Sequence, residues 1–189
     1  MGNKIYINLT NRCSNACTFC VRTNGSMDDY ELWLDKEPSV QDVIASLPPE
    51  FAACEEVVFC GFGEPLYRLD AMVELGAYFH RCGKRVRLNT NGQAKHICGE
   101  DAAKRLAGNV DIVNVSLNAA DALRYQEICR CEFGTEGFDD MLNFAADCKR
   151  QGISVVFSVV DVIGEEQVAR AKRLAEQMGI PLRVRAYIG

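Results

Sequence analysis

Strand-like and helix-like segments alternate along the whole of this chain, and that order of elements restricts the fold more than any single residue does. The strand-like runs cover residues 4–9, 56–60, 85–89, 111–117, 154–160 and 182–187, each rich in Val, Ile, Leu or Phe and each ending near a turn signal. Helical spacing fills the gaps. Ser39 and Asp42 open a helix carrying Val40, Val43, Ile44 and Leu47, which Pro48 and Pro49 stop. Leu69, Met72, Val73, Gly76 and Phe79 share one face of the next, a short helix covers 101–107, and Phe138, Met141, Leu142, Ala145 and Cys148 stripe another. Val168, Ala171, Leu174, Ala175 and Met178 stripe the last. Six β/α units in series imply a parallel sheet with right-handed crossovers. The nearly continuous apolar strands predict a sheet covered on both faces. Periodicity does not choose between a doubly wound sheet and a barrel, but either puts function at the C-terminal strand ends.

The chain has 189 residues, which suits a single domain over 1–189. Its net charge of −5 argues against a nucleic-acid partner, which would leave a basic stripe. The apolar runs are strand-sized, so no membrane span is expected. Ten cysteines without a hydrophobic leader point to a reducing, cytoplasmic setting. The only histidines, His80 and His96, lie in no catalytic motif and read as surface residues.

Directly after the first strand stand Cys13, Cys17 and Cys20, spaced Cys-x-x-x-Cys-x-x-Cys. Three thiolates so close can hold a metal cluster but cannot saturate a 4Fe–4S cube, which takes four cysteines. The remaining iron would be open to a ligand, as in a catalytic metal site. The alternative is a zinc knuckle, which needs a fourth ligand; Cys54 and Cys60 are too distant in sequence to make a standard pair. The second strand ends in Cys60-Gly61-Phe62-Gly63-Glu64-Pro65, whose glycines permit close approach of a ligand and whose carboxylate could receive an ammonium group. The third and fourth strands end in Leu88-Asn89-Thr90-Asn91-Gly92 and Val115-Ser116-Leu117-Asn118, small polar groups suited to hydroxyls and carboxylates or simply to turns and caps. The 21–38 segment, with Tyr30 and Trp33, is long enough for a functional lid.

Together these motifs resemble the radical S-adenosylmethionine (radical SAM) superfamily. The cysteine triad carries Phe19 at the usual aromatic position, and Gly-Phe-Gly-Glu-Pro resembles the family's Gly-Gly-Glu-Pro with Phe62 in place of its first glycine. Residues 160–167 match the family's Gly-x-Ile-x-Gly-x-x-Glu only loosely: Gly164 fits, but valines stand at 160 and 162 and a glutamine at 167. Asn8-Leu9-Thr10-Asn11-Arg12-Cys13, Phe19-Cys20-Val21-Arg22, Gly61-Phe62-Gly63-Glu64-Pro65 and Ser116-Leu117-Asn118-Ala119 look most like the small group associated with TatD-family hydrolases. The resemblance implies a parallel six-stranded (β/α)6 partial TIM barrel, open on one side. It implies a 4Fe–4S cluster on Cys13, Cys17 and Cys20, and S-adenosyl-L-methionine held by Phe19, Phe62, Gly63, Glu64, Asn89, Ser116 and Asn118. Glu64 and the Gly63 backbone would take the methionyl ammonium, the Asn89, Ser116 and Asn118 side chains ribose or carboxylate oxygens, and Phe19 the adenine side.

The implied reaction is reductive cleavage of the cofactor and removal of a hydrogen atom from a small molecule or peptide. Cys60 is the candidate catalytic residue, as a hydrogen donor or substrate contact. A low-potential donor such as flavodoxin or ferredoxin and a link to a TatD-family hydrolase are the expected partners. A glycyl-radical-type activase, an RNA-modifying radical enzyme and, from another class, a non-catalytic zinc-binding interaction module are the competing readings. Of the remaining cysteines, Cys54, Cys82, Cys98 and Cys148 read as small buried hydrophobes, and Cys129 and Cys131 as solvent thiols between two helices or as ligands of a second cluster.

Overall fold

The structure, a computed structural model, describes residues 3–23 and 32–187. Six strands, β1 (Lys4–Ile7), β2 (Glu56–Phe59), β3 (Arg85–Thr90), β4 (Ile112–Ser116), β5 (Ser154–Val160) and β6 (Leu182–Arg185), form one sheet in the order β1-β2-β3-β4-β5-β6. Every neighbouring pair is parallel. A doubly wound sheet must reverse its strand order part-way; this one never does. With right-handed crossovers throughout, the helices fall on one side and the sheet curls as an open, partial barrel. β1 and β6 are its two edges.

The helices are α1 (Val40–Ala45), α2 (Leu69–Arg81), α3 (Ala94–Ile97), α4 (Ala102–Leu106), α5 (Ala122–Cys129), α6 (Glu136–Arg150) and α7 (Glu165–Met178). Local chemistry sets their starts. At α1 the Ser39 hydroxyl accepts from the Asp42 amide while the Asp42 carboxylate accepts from the Ser39 amide, a complete capping box. At α5 the Asp121 side chain accepts from the Arg124 amide. The sequence analysis expects no helix here, because eight residues give barely two turns, too few for a stripe to stand out. Tyr125 and Ile128 are nevertheless buried.

The core lies between helices and sheet. Val57, Phe59, Val86, Leu88, Val113, Val115, Val155 and Phe157 point from alternate strand positions into it and meet Met72, Leu75 and Phe79 of α2 and Met141 of α6. The expectation of strands covered on both faces is therefore corrected. The other face is polar: Tyr6, Arg87, Asn89, Asn114, Arg183 and Arg185 line a hollow inside the curled sheet. Sequences such as Arg-Val-Arg-Leu-Asn-Thr in β3 alternate because only one of their faces packs against helices.

The histidines are also less superficial than expected. His80 bridges the Gly108 carbonyl and the Asp111 carboxylate. His96 meets the buried Asp140 carboxylate at 2.9 Å and stacks on Phe133. His80 holds α2 to the segment before β4, and His96 holds α3 to α6. Among the described residues, no helix is long and apolar enough to cross a membrane.

Candidate metal and cofactor site

The loop after β1 carries the three motif cysteines across the C-terminal rim of the sheet, and two neighbours hold it there. On one side the Ala16 and Thr18 amides donate to the carbonyls of Cys129 and Ile128, and the Glu132 amide donates to the Ser14 carbonyl. On the other, the Glu64 amide donates to the Arg12 carbonyl at 2.7 Å. A Cβ at Gly63 would run into the carbonyl oxygens of Thr10 and Arg12, and one at Gly61 into the Asn8 side chain. The glycines of the second motif thus serve first to let two loops touch backbone to backbone.

Cys13, Cys17 and Cys20 are half-buried and free of disulfides. Burial and the nearby Glu64 charge push the Cys13 thiol up to about 12, and burial also raises Cys20. Cys17 is shifted the other way, chiefly because it accepts a hydrogen bond from the Cys129 thiol. The Arg22 guanidinium favours the thiolate at all three. It also donates to the carbonyls of Asn11 and Phe62, tying the end of the cysteine loop to the glycine loop.

This donor set suits a cluster. Among the described residues, no three His, Cys, Asp or Glu side chains converge on a position for a single metal ion. Thiolates that each take a different iron of a cube need not converge, and a cationic neighbour compensates the negative charge that sulfur ligands bring. Two further atoms at the same rim lack partners among the described residues: the buried side-chain oxygens of Gln126 in α5 and Gln167 in the first turn of α7. Buried acceptors left unpaired are costly.

The remaining sequence candidates occupy more varied positions. Glu64 is buried, and its carboxylate turns inward to accept from the Thr90 hydroxyl at 2.7 Å, the Asn91 amide at 2.6 Å and the Leu66 amide at 3.0 Å. Burial raises it to about 7 despite these three donors. The carboxylate thereby fastens the glycine loop to the end of β3. Asn118 has φ of 54°, and its amide points at the Cys129 sulfur at 3.8 Å. Asn89 faces the hollow and hydrogen-bonds the Cys60 thiol, which burial pushes up to about 11. Ser116 is half-buried at the end of β4, and Phe19 packs against the edge of the core. Phe62 is buried under Trp33, ring centroids 4.8 Å apart. That contact, with Asn8 and Asn11 donating to the carbonyls of Leu32 and Leu34, straps the described part of the 21–38 segment over the rim. Tyr30 lies outside the described residues.

Other thiols depart from the sequence reading. Cys129 and Cys131 are buried instead of solvent-facing, because the cysteine loop covers them. Cys82 is exposed, and Cys98 half-buried, where buried hydrophobes were expected; Cys54 and Cys148 are buried.

A polar network beneath the cysteine loop had escaped the sequence reading. The Ser14 hydroxyl donates to the Gln93 side-chain oxygen at 2.5 Å and accepts from Asn91 at 2.8 Å. The Gln93 amide donates to the Asn15 oxygen and the Tyr125 hydroxyl at 2.8 and 2.9 Å. All five residues are buried, so these bonds form in a low-dielectric setting and fix the loop firmly. Ser14 and Asn15 sit inside the cysteine spacing, the one sequence signal that could have found them.

A family model described as the Radical SAM superfamily matches residues 7–178. GTP 3',8-cyclases of two Corynebacterium glutamicum strains are each 31% identical over 143 residues, covering 69% of this chain and 34% of theirs. The chain thus spans about a third of the length of these curated relatives. Among solved structures, Streptococcus suis SuiB bound to S-adenosylmethionine superposes with a TM-score of 0.76 at 17% identity, covering 99% of this chain and 41% of that one. A radical SAM methyltransferase from Sphaerobacter thermophilus gives a TM-score of 0.62 at 18% identity, over 97% of this chain and 66% of that one. At these identities the superpositions speak for the fold.

Proposed function

We propose that this chain, which belongs to the Radical SAM superfamily, forms over residues 1–189 a catalytic core that cleaves S-adenosylmethionine and removes a hydrogen atom from a small-molecule or peptide substrate. Enzymes of this superfamily use a 4Fe–4S cluster and S-adenosylmethionine. When bound, that pair would supply the electron for reductive cleavage of the sulfonium and the hydrogen-atom abstraction that follows.

The chain's own residues position and shield. Cys13, Cys17 and Cys20 would hold three irons of the cluster, and Arg22 would balance their charge. Cys129 steadies Cys17 through its thiol. The Glu64 amide holds the cysteine loop and its carboxylate holds the end of β3, leaving the Gly63 backbone to meet the cofactor. Trp33 and Phe62 keep water from the rim. The observation that carries this reading is a single loop at the C-terminal strand ends that presents three free thiols, its end tied to the glycine loop by Arg22.

Two finer points belong to the same proposal. The stretches Asn8–Cys13 and Phe19–Arg22 support membership of the TatD-associated group, with a low-potential flavodoxin or ferredoxin as electron source. Ten unpaired cysteines support a reducing cytoplasm.

The test is an anaerobic assay of reconstituted protein. Wild type is expected to contain iron and sulfide and to form 5′-deoxyadenosine, whereas Cys17→Ala loses at least a hundredfold of that activity with its circular dichroism unchanged. Stoichiometric zinc without sulfide, or undiminished 5′-deoxyadenosine from Cys17→Ala, overturns the reading.

A further inference from the structure

The hollow on the inner face of the sheet has a charge the whole chain does not share. It has a volume of about 150 Å³, and Lys4, Arg87, Arg183 and Arg185 line it against the single carboxylate of Glu56. That carboxylate is already fully used. Its two oxygens accept from Lys4 at 2.7 Å, from Arg85 at 3.0 Å and from Arg87 at 3.0 and 3.2 Å. Arg183 and Arg185 have no acidic partner among the described residues. A chain of net charge −5 therefore concentrates uncompensated positive charge in one concavity.

The placement of these arginines is specific. β6 alternates, so Arg183 and Arg185 turn toward the hollow while Leu182 and Val184 do not line it. Asn89 and Asn114, paired in register on β3 and β4, add side-chain amides to the same wall. Arg185 also lies near enough to Cys60 for its charge to act on that thiol, which links the hollow to the rim. Charges on an edge strand can serve merely to prevent sheet-to-sheet association. That purpose does not require two arginines on the concave face beside paired asparagines.

We propose that this hollow binds an oxyanion group of the substrate, a carboxylate or a phosphate, with Arg183 and Arg185 as the principal donors and Asn114 beside them. Guanidinium groups match planar and tetrahedral oxyanions through paired N–H donors, which orients a ligand as well as attracting it. Fixing the anion on β6 points the rest of the substrate toward the rim where Cys60 and the cysteine loop lie. The inference rests on the proposed radical chemistry for what happens to the substrate, but not for the binding itself.

The experiment is calorimetric titration of the anaerobically reconstituted full chain with inorganic pyrophosphate and, separately, citrate at low ionic strength. Saturable binding of at least one is expected, weakened at least tenfold in Arg183→Gln/Arg185→Gln and unchanged in Cys17→Ala. Both arginines are exposed, so the double variant should keep its fold, which thermal unfolding checks. Binding of pyrophosphate alone assigns a phosphate-bearing substrate; binding of citrate alone assigns a carboxylate. If neither anion binds, or the double variant binds both as wild type does, the proposal is overturned. Anion binding without 5′-deoxyadenosine formation would instead sink only the radical reading, and the converse only this one.

Discussion

Glu56 illustrates how much one side chain can hold together. It is wholly buried, and three cations from the two strands beside it, Lys4 of β1 and Arg85 and Arg87 of β3, share its two oxygens. Although burial works against its charge, hydrogen bonds from Arg87 and Lys4 bring it down to about 2. A carboxylate lowered on folding stabilises the protein fully above its unfolded value, 4.5, and that contribution disappears as the pH falls from there towards 2. Glu56→Gln is therefore expected to flatten the fall of melting temperature with acidification over this window. Glu56→Ala should cost about 2–4 kcal/mol in urea unfolding at neutral pH, because it leaves clustered cations without their counter-charge.

Among the elements, α2 depends on a position where a side chain will not fit. Gly76 lies against the Asn109 backbone, and a Cβ there would overlap the Asn109 carbonyl oxygen. Ala favours helix over Gly by about 1 kcal/mol, which would make Gly76→Ala stabilising on propensity alone. The obstruction is backbone, which cannot rotate away, so a net loss of about 1–3 kcal/mol is expected and is measurable as a lowered thermal midpoint. The helical stripe of α2 was plain in the sequence, but the reason for its glycine was not. Spacing reports which face of a helix is apolar; it does not report which loop presses on it.

For the molecule as a whole, stability should be uneven across the sheet. β3 and β4 are paired on both sides and flanked by α2 and α6, whereas β6 is an edge strand with three of its four residues exposed. Amide hydrogen exchange is expected to be slowest in β3 and β4 and at least a hundredfold faster in β6. Uniform protection across the six strands would contradict this picture. An edge that opens easily beside the hollow also suits admission of a substrate.

The six strands and the cysteine loop were legible directly, because periodicity and spacing are local properties. Predicted and observed strands differ mainly by frayed ends, as at β1, read as 4–9 and found as Lys4–Ile7. What escaped was set by contacts distant in sequence. Thr90 and Asn91 reach the Glu64 carboxylate only because β3 lies beside the glycine loop. Cys129 looked solvent-facing until the cysteine loop was seen to cover it. The chain's order of apolar and polar residues determined by itself a parallel α/β sheet with sulfur chemistry after its first strand. Only the tertiary structure decided that one face of that sheet is dry and the other basic and open, because the curl that separates them arises from packing all six strands at once.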